Sequence, residues 1–305
     1  MPLPDTPTTS ADDPRVGHLF GAALREDAAP LAVLIGFPSD AGVRRNGGRP
    51  GAASGPAAIR RALARLTPDA EAPDRFAHLL AHTRDLGDVA VEGDVEADQA
   101  ALASAVAPSL AAGAFAIVLG GGHETAFGHF LAQARLGQPV RILNWDAHAD
   151  VRELRDGRAH SGSPFRQALE HESGLCTRYE VAGLQPHSVA GAHLAYVRAH
   201  GAAHFRQALD DPAVPDALYA GHPTMVSFDL DAVDRAHAPG VSAPATDGLP
   251  VPLWLRAAYL AGRTPSVRGA DVVELSPPLD GDGRTATLAA LTVWQLLRGL
   301  AARAV

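Results

Sequence analysis

The sequence predicts an α/β protein, a mostly parallel sheet covered by helices, and three observations carry that expectation. From Leu31 onward, short runs rich in Val, Ile and Leu alternate with Ala/Leu-rich stretches of helical length. The runs are continuously apolar, as expected of strands buried on both faces. No linker rich in Pro, Gly or Ser and no repeat of fixed period divides the chain. Residues 16–305 are therefore expected to form one domain, behind a polar, proline-broken N-terminal arm at 1–15.

In chain order, 31–36 reads as the first strand. Ser54, Gly55 and Pro56 then offer a small cap and a first-turn proline for a helix over 57–66. A weaker strand at 83–86 precedes an Ala-rich helix at 96–112. Strands at 114–120, 140–144, 179–184, 224–230 and 266–275 follow, with helices at 125–136, 188–200, 252–261 and 286–302. This makes six or seven strands, with room for an eighth.

Composition narrows the function. With 305 residues, 47% hydrophobic and 20% charged, the chain reads as a soluble globular protein. A net charge of −8 without a Lys/Arg block argues against a nucleic-acid partner. No apolar run reaches the roughly 18 residues needed to span a membrane. The single cysteine, Cys176, and the absence of an apolar leader in the first ten residues lead us to expect a reducing cytoplasm.

Three strand ends concentrate His and Asp. The run Ile117-Val118-Leu119 leads into Gly120-Gly121-Gly122-His123-Glu124, where the glycines permit a sharp exit. The second strand end carries Asp146, His148 and Asp150, which a spacing of two would place on one side of an extended segment. The same spacing pairs Asp229 with Asp231. Four carboxylates and two imidazoles at the ends of buried strands are costly unless cations sit among them. A pair of divalent cations is the simplest compensation, and mixed oxygen and nitrogen donors favour Mn²⁺ or Zn²⁺ over Ca²⁺.

The segments Gly-Gly-Gly-His-Glu, Asn-Trp-Asp-Ala-His-Ala-Asp-Val-Arg and Ser-Phe-Asp-Leu-Asp, in this order, resemble the metal-binding signatures of the ureohydrolases, the family of arginase, agmatinase and formimidoylglutamase. The resemblance runs from about Gly36 to Thr287. It implies an arginase-like three-layer α/β/α fold with a central eight-stranded sheet, and two Mn²⁺ per chain. One ion would be held by His123, Asp146, Asp150 and Asp229, the other by His148, Asp146, Asp229 and Asp231. Two such ions sharing a water would supply hydroxide near neutral pH.

Within the family, Gly122-His123-Glu124 (where arginases and agmatinases usually have Asp-His-Ser), Val151-Arg152, the Gly42–Arg49 segment and Ser161-Gly162-Ser163 are similar to formimidoylglutamase. The implied reaction is hydrolysis of N-formimidoyl-L-glutamate, a step of histidine degradation. Agmatine or guanidino-acid hydrolysis is the alternative, and a metal-binding scaffold without turnover is a third reading. Glu274 would face the cationic amidine, and Asp150 would pass the proton to the leaving nitrogen. Arg152, with Arg44 or Arg45, would hold the carboxylates. A His generally stands in the family where Ser161 does. Here His160 lies one residue earlier, and both are candidates for the proton-handling position, the register favouring Ser161. A homo-oligomer, trimer or hexamer, is expected from the same resemblance.

Overall fold

The computed structural model describes residues 3, 13–25, 28–210 and 216–303. Eight strands, β1 (Ala32–Gly36), β2 (Thr83–Asp88), β3 (Phe115–Leu119), β4 (Val140–Trp145), β5 (Cys176–Leu184), β6 (Gly201–Phe205), β7 (Thr224–Asp229) and β8 (Val267–Val273), form one sheet in the order β2-β1-β3-β8-β7-β4-β5-β6. Every neighbouring pair is parallel. β1, β3, β4 and β7 are buried along their whole length, β1 and β3 being wholly apolar and β4 and β7 carrying a few buried polar side chains. β2 and β6, at the two edges, are only half-buried.

The helices are α1 (Val16–Leu19), α2 (Ala41–Asn46), α3 (Gly55–Ala64), α4 (Pro73–Ala81), α5 (Val95–Ala111), α6 (Thr125–Ala134), α7 (Pro164–Leu169), α8 (Gly191–His200), α9 (Val251–Arg263) and α10 (Arg284–Ala301). Asp94 caps α5 by accepting from the Ala97 N–H at 3.1 Å, and prolines stand in the first turns of α3, α4, α7 and α9. Three apolar clusters pack these helices against the sheet, the largest joining α3, α4, α9 and α10 to β1, β3, β7 and β8.

Sheet register positions the site. Leu119 pairs with Val272, Val272 with Phe228, and Phe228 with Trp145, so β3, β8, β7 and β4 end level with one another. Whatever follows those four residues is delivered to one crevice at the carboxyl edge, the usual position for ligands in an open parallel sheet.

The structure adds elements that the sequence pattern did not reveal. β6 is a Gly-Ala-Ala-His-Phe run without Val or Ile, and it follows α8 directly. α2, α4 and α7 are too short for a clear helical period. The expected arm at 1–15 lies mostly outside the described residues. Leu3 is described, and its N–H donates to Asp85 Oδ2 at 2.8 Å. Among the described residues, no helix is long and apolar enough to cross a membrane.

Candidate metal centre and active site

The chain leaves β3 through Gly120, Gly121 and Gly122, and a side chain cannot be accommodated at the second of these: a Cβ on Gly121 would stand 1.8 Å from Ser39 O. This close approach turns His123 into the crevice. Its ring is buried, with Phe165 packed edge-on at 5.1 Å. Ser227 Oγ gives its own proton to Asp271, so His123 Nε2, 3.0 Å away, donates to it and Nδ1 is the ring nitrogen left facing the carboxylates. The other oxygen of Asp271 is 2.8 Å from His129 Nδ1. His123, Ser227, Asp271 and His129 are all buried.

Around His123 Nδ1 stand Asp229 Oδ2 at 2.9 Å, Asp150 Oδ2 at 3.0 Å and Asp146 Oδ2 at 3.4 Å. The other oxygen of Asp146 lies 3.4 Å from His148 Nδ1, which is 3.2 Å from Asp231 Oδ2. The residues thus form two groups, His123/Asp146/Asp150/Asp229 and Asp146/His148/Asp231, with Asp146 common to both. Asp229 falls in the first group alone, since its Oδ1 accepts the Asp231 N–H at 2.9 Å.

The spacing argument from an extended segment needs correction, because β4 stops at Trp145 and β7 at Asp229. Beyond Trp145 the chain bends, with the His148 N–H donating to Asp146 Oδ1 at 2.6 Å. Asp231 lies in a single 3₁₀ turn, Leu230–Ala232. Short aspartate side chains bonding to backbone two residues on make these turns, and the turns, rather than strand alternation, gather the carboxylates. Asp150 and Glu274 go further and adopt left-handed backbone, with φ of 44° and 68°. Each costs roughly 1–3 kcal/mol for a residue with a Cβ, strain characteristic of functional sites.

The donor set fits divalent cations. His123 Nδ1 and Asp231 Oδ1 are buried without hydrogen-bond partners. Burial, reinforced by neighbouring aspartates, pushes the Asp229 carboxyl well above its usual range and Asp231 up to about 7. Burial likewise raises Glu274, with the charges of Asp229 and Glu124 adding to it. Imidazole and carboxylate donors without thiolate suit Mn²⁺.

These groups open into a cleft of about 230 Å³ whose lining includes Asp150, Asp229, Asp231, His148 and Glu274. Glu274 Oε1 accepts the His123 backbone N–H at 2.8 Å. Asn46, Arg152 and Ser161 also line it and are joined to one another: Asn46 Nδ2 donates to Ser161 Oγ at 3.1 Å and Arg152 Nη1 donates to Asn46 Oδ1 at 3.3 Å. Asn46 was not among the residues singled out from the sequence, although it sits within the Arg-Arg-Asn-Gly-Gly segment that carried the resemblance.

Other candidates stand apart from this cleft. The His160 ring is buried and faces backbone: Nε2 donates to Glu153 O at 3.0 Å and Nδ1 accepts the Gly162 N–H at 3.1 Å. Arg44 pairs with Asp40 at 2.9 Å, and Arg45 with Glu96 at 3.2 Å and with Ala159 O.

Comparison with known proteins agrees with this geometry. Residues 31–298 match the family model described as the arginase family. Formimidoylglutamase from Rhodococcus jostii is 40% identical over 300 residues, covering 92% of this chain and 89% of that protein. The one from Aromatoleum aromaticum is 41% identical, covering 94% and 88%. The crystal structure of Trypanosoma cruzi formiminoglutamase with Mn²⁺₂ superposes with a TM-score of 0.88 at 37% identity, covering 96% of this chain and all of that one. Arginase from Bacillus subtilis gives 0.73 at 25% identity, covering 87% and 98%.

Proposed function

Since the chain belongs to the arginase family, we propose that it hydrolyses N-formimidoyl-L-glutamate to L-glutamate and formamide with two Mn²⁺ at the carboxyl edge of its sheet. The observation that carries this reading is the pair of His/Asp groups sharing Asp146 beneath a cleft that also holds Glu274 and Arg152. Relatives named formimidoylglutamase at about 40% identity, and a manganese-containing structural neighbour, support the substrate and the metal.

His123, Asp146, Asp150 and Asp229 would hold one ion, and Asp146, His148 and Asp231 the other, which Asp229 would join by turning its Oδ1 from the Asp231 N–H. When bound, the pair supplies Lewis acidity and lowers the pKa of a water to give a nucleophile near neutral pH. Glu274 meets the cationic formimidoyl group as a hydrogen-bond acceptor, its ionised form favoured by the bound cations and the amidinium against the burial that raises its pKa. Asp150 takes up the proton released as water adds to the formimidoyl carbon and delivers it to the departing glutamate nitrogen. In the same cleft, the planar fork of Arg152 grips a tail carboxylate, with Asn46 and Ser161 as hydrogen-bonding neighbours. Agmatine has no carboxylate to offer that group.

Residues 16–305 form one domain in this reading, supported by a single sheet whose strands run from Ala32 to Val273. The chain works in the cytoplasm as a homo-oligomer, the first supported by a lone, buried cysteine and the second by family resemblance.

The test is an assay of Mn²⁺-loaded protein over formimidoylglutamate, arginine, agmatine and short guanidino acids, with formamide, urea and ammonia scored separately. Formamide from formimidoylglutamate is expected, with agmatine negligible. Arg152→Ala should lower kcat/KM about 10- to 150-fold, the worth of one charge-assisted contact. Equal turnover of agmatine, or an unchanged kcat/KM in the variant, would select the guanidino-hydrolase alternative.

A further inference from the structure

Glu124 belongs to the Gly-Gly-Gly-His-Glu segment that carried the resemblance, and the structure gives it a task. It immediately precedes α6, yet its side chain makes no cap on that helix. Its carboxylate turns away and accepts the Gly42 N–H of α2 at 2.8 Å. α2 has no side-chain cap of its own, so Glu124 satisfies one of the orphan donors of another element's first turn. The backbone of Glu124 is held in turn by Gln99 Nε2 on α5, which donates to its carbonyl at 2.9 Å.

The fit is steric as well as polar. A Cβ on Gly42 would stand 2.5 Å from Glu124 Cδ, and one on Gly122 would stand 2.2 Å from Glu124 Oε2 and 2.4 Å from Val43 Cγ2. Glu124 is completely buried, and its Oε2 has no hydrogen-bond partner. Burying such an oxygen costs stability, so its presence calls for a compensating role. At the far end of α2, about 9 Å along a six-residue helix, Asn46, Gly47 and Gly48 line the cleft. Asn46 there bonds both Ser161 and Arg152.

We propose that Glu124 is a positioning residue that locks the segment 42–48 to the strand end bearing His123, and so sets the separation between the metal centre and the groups that hold the substrate's tail. The inference rests on the reading of the cleft given above. Glu124 touches neither substrate nor metal; it acts through Gly42 and Asn46. The glutamate and the two glycines around it are one fitted set, which explains why they stand together in this sequence.

Three variants test this, each assayed with Mn²⁺ and formimidoylglutamate, for Mn²⁺ affinity by chelator competition, and for hydrogen exchange at amides 42–48. Glu124→Ala is expected to raise KM at least about 10-fold while kcat and Mn²⁺ affinity stay within about 3-fold. Gly42→Ala should give the same split with Glu124 otherwise intact, because Gly42 does not adopt left-handed backbone and the new methyl runs into the Glu124 side chain, with Cδ at 2.5 Å, Oε2 at 2.6 Å and Cβ at 2.9 Å. It carries the test if Glu124→Ala fails to fold. Glu124→Gln keeps the length and the acceptor oxygen and should recover KM to within about 3-fold. Exchange at 42–48 should quicken in both alanine variants, a readout independent of substrate. Unchanged KM and exchange in both alanine variants would overturn the proposal. So would loss of Mn²⁺ affinity in step with kcat, or a glutamine variant as impaired as the alanine one. A parent inactive on formimidoylglutamate would sink the functional reading instead, with exchange still deciding the positioning role.

Discussion

Glu274 and His123 are tied to each other at their loops: the Glu274 carboxylate accepts the His123 backbone N–H at 2.8 Å. Glu274, the acid that meets the substrate in the proposed mechanism, is thereby held against the strand end that carries His123. The Glu274 N–H closes the link by donating to Gly121 O at 2.8 Å.

This bond separates structure from chemistry. Glu274→Gln retains an oxygen that can accept from His123 and so should keep the fold and the Mn²⁺ content of the parent. In the proposed mechanism it removes the carboxylate that faces the amidinium, and kcat/KM should fall roughly 10²- to 10³-fold. Steady-state kinetics alongside elemental analysis check this, and loss of manganese in the variant would show that Glu274 acts through the metal centre.

Behind His123, the buried path through Ser227 to Asp271 and His129 fixes which ring nitrogen faces the carboxylates. Outer partners of a metal-ligating histidine typically matter 10- to 100-fold in metal affinity. Asp271→Asn should weaken Mn²⁺ binding by about that factor in a chelator-competition titration. Affinity equal to the parent's would mean that the ring is oriented by packing against Phe165 alone.

Much of this site was legible in the sequence, for a definite reason. Buried parallel strands are short, mostly apolar runs, so the three glycines and histidine just past Leu119 and the aspartates just past Trp145 and Phe228 stand out as the places where the sheet must end. Arrangement at those ends was less legible. Turns made by aspartate side chains, rather than strand alternation, gather Asp146, His148 and Asp150. Side chains that meet across long sequence distances left no local signal: His129 and Asp271 are 142 residues apart, and Glu124 reaches back 82 residues to Gly42. Ion pairing was one of two readings open for Arg44 and Arg45, but their partners, Asp40 and Glu96, could not be read from a basic dipeptide. Asn46 could have been found, since it lies between that dipeptide and two glycines that bring backbone to the cleft wall.

Away from the site, Glu180 on β5 is paired with Arg178 at 2.6 Å, Arg141 at 3.3 Å and His204 at 3.3 Å, bonds that join β4, β5 and β6. Burial opposes its charge, but the His204 and Arg178 hydrogen bonds with the Arg141 charge prevail, and its pKa falls to about 2 from an ordinary 4.5. A depressed carboxylate stabilises the fold above its unfolded pKa and loses that contribution as pH drops through the folded value. Glu180→Gln should therefore cost about 2 kcal/mol at neutral pH, allowing for the solvent screening of exposed Arg178, and flatten the stability curve between about pH 4.5 and 2. Urea unfolding across that range is the measurement; parallel curves for parent and variant would rule out this role.

The central claim is a binuclear manganese centre organised around Asp146, whose two oxygens face His123 and His148. Its most direct test is the manganese content of Asp146→Ala after loading and desalting, set against the parent. The account predicts close to two Mn²⁺ per chain in the parent, one or none in the variant, and no measurable formamide release from the variant. Two retained Mn²⁺ with turnover near the parent's would contradict it.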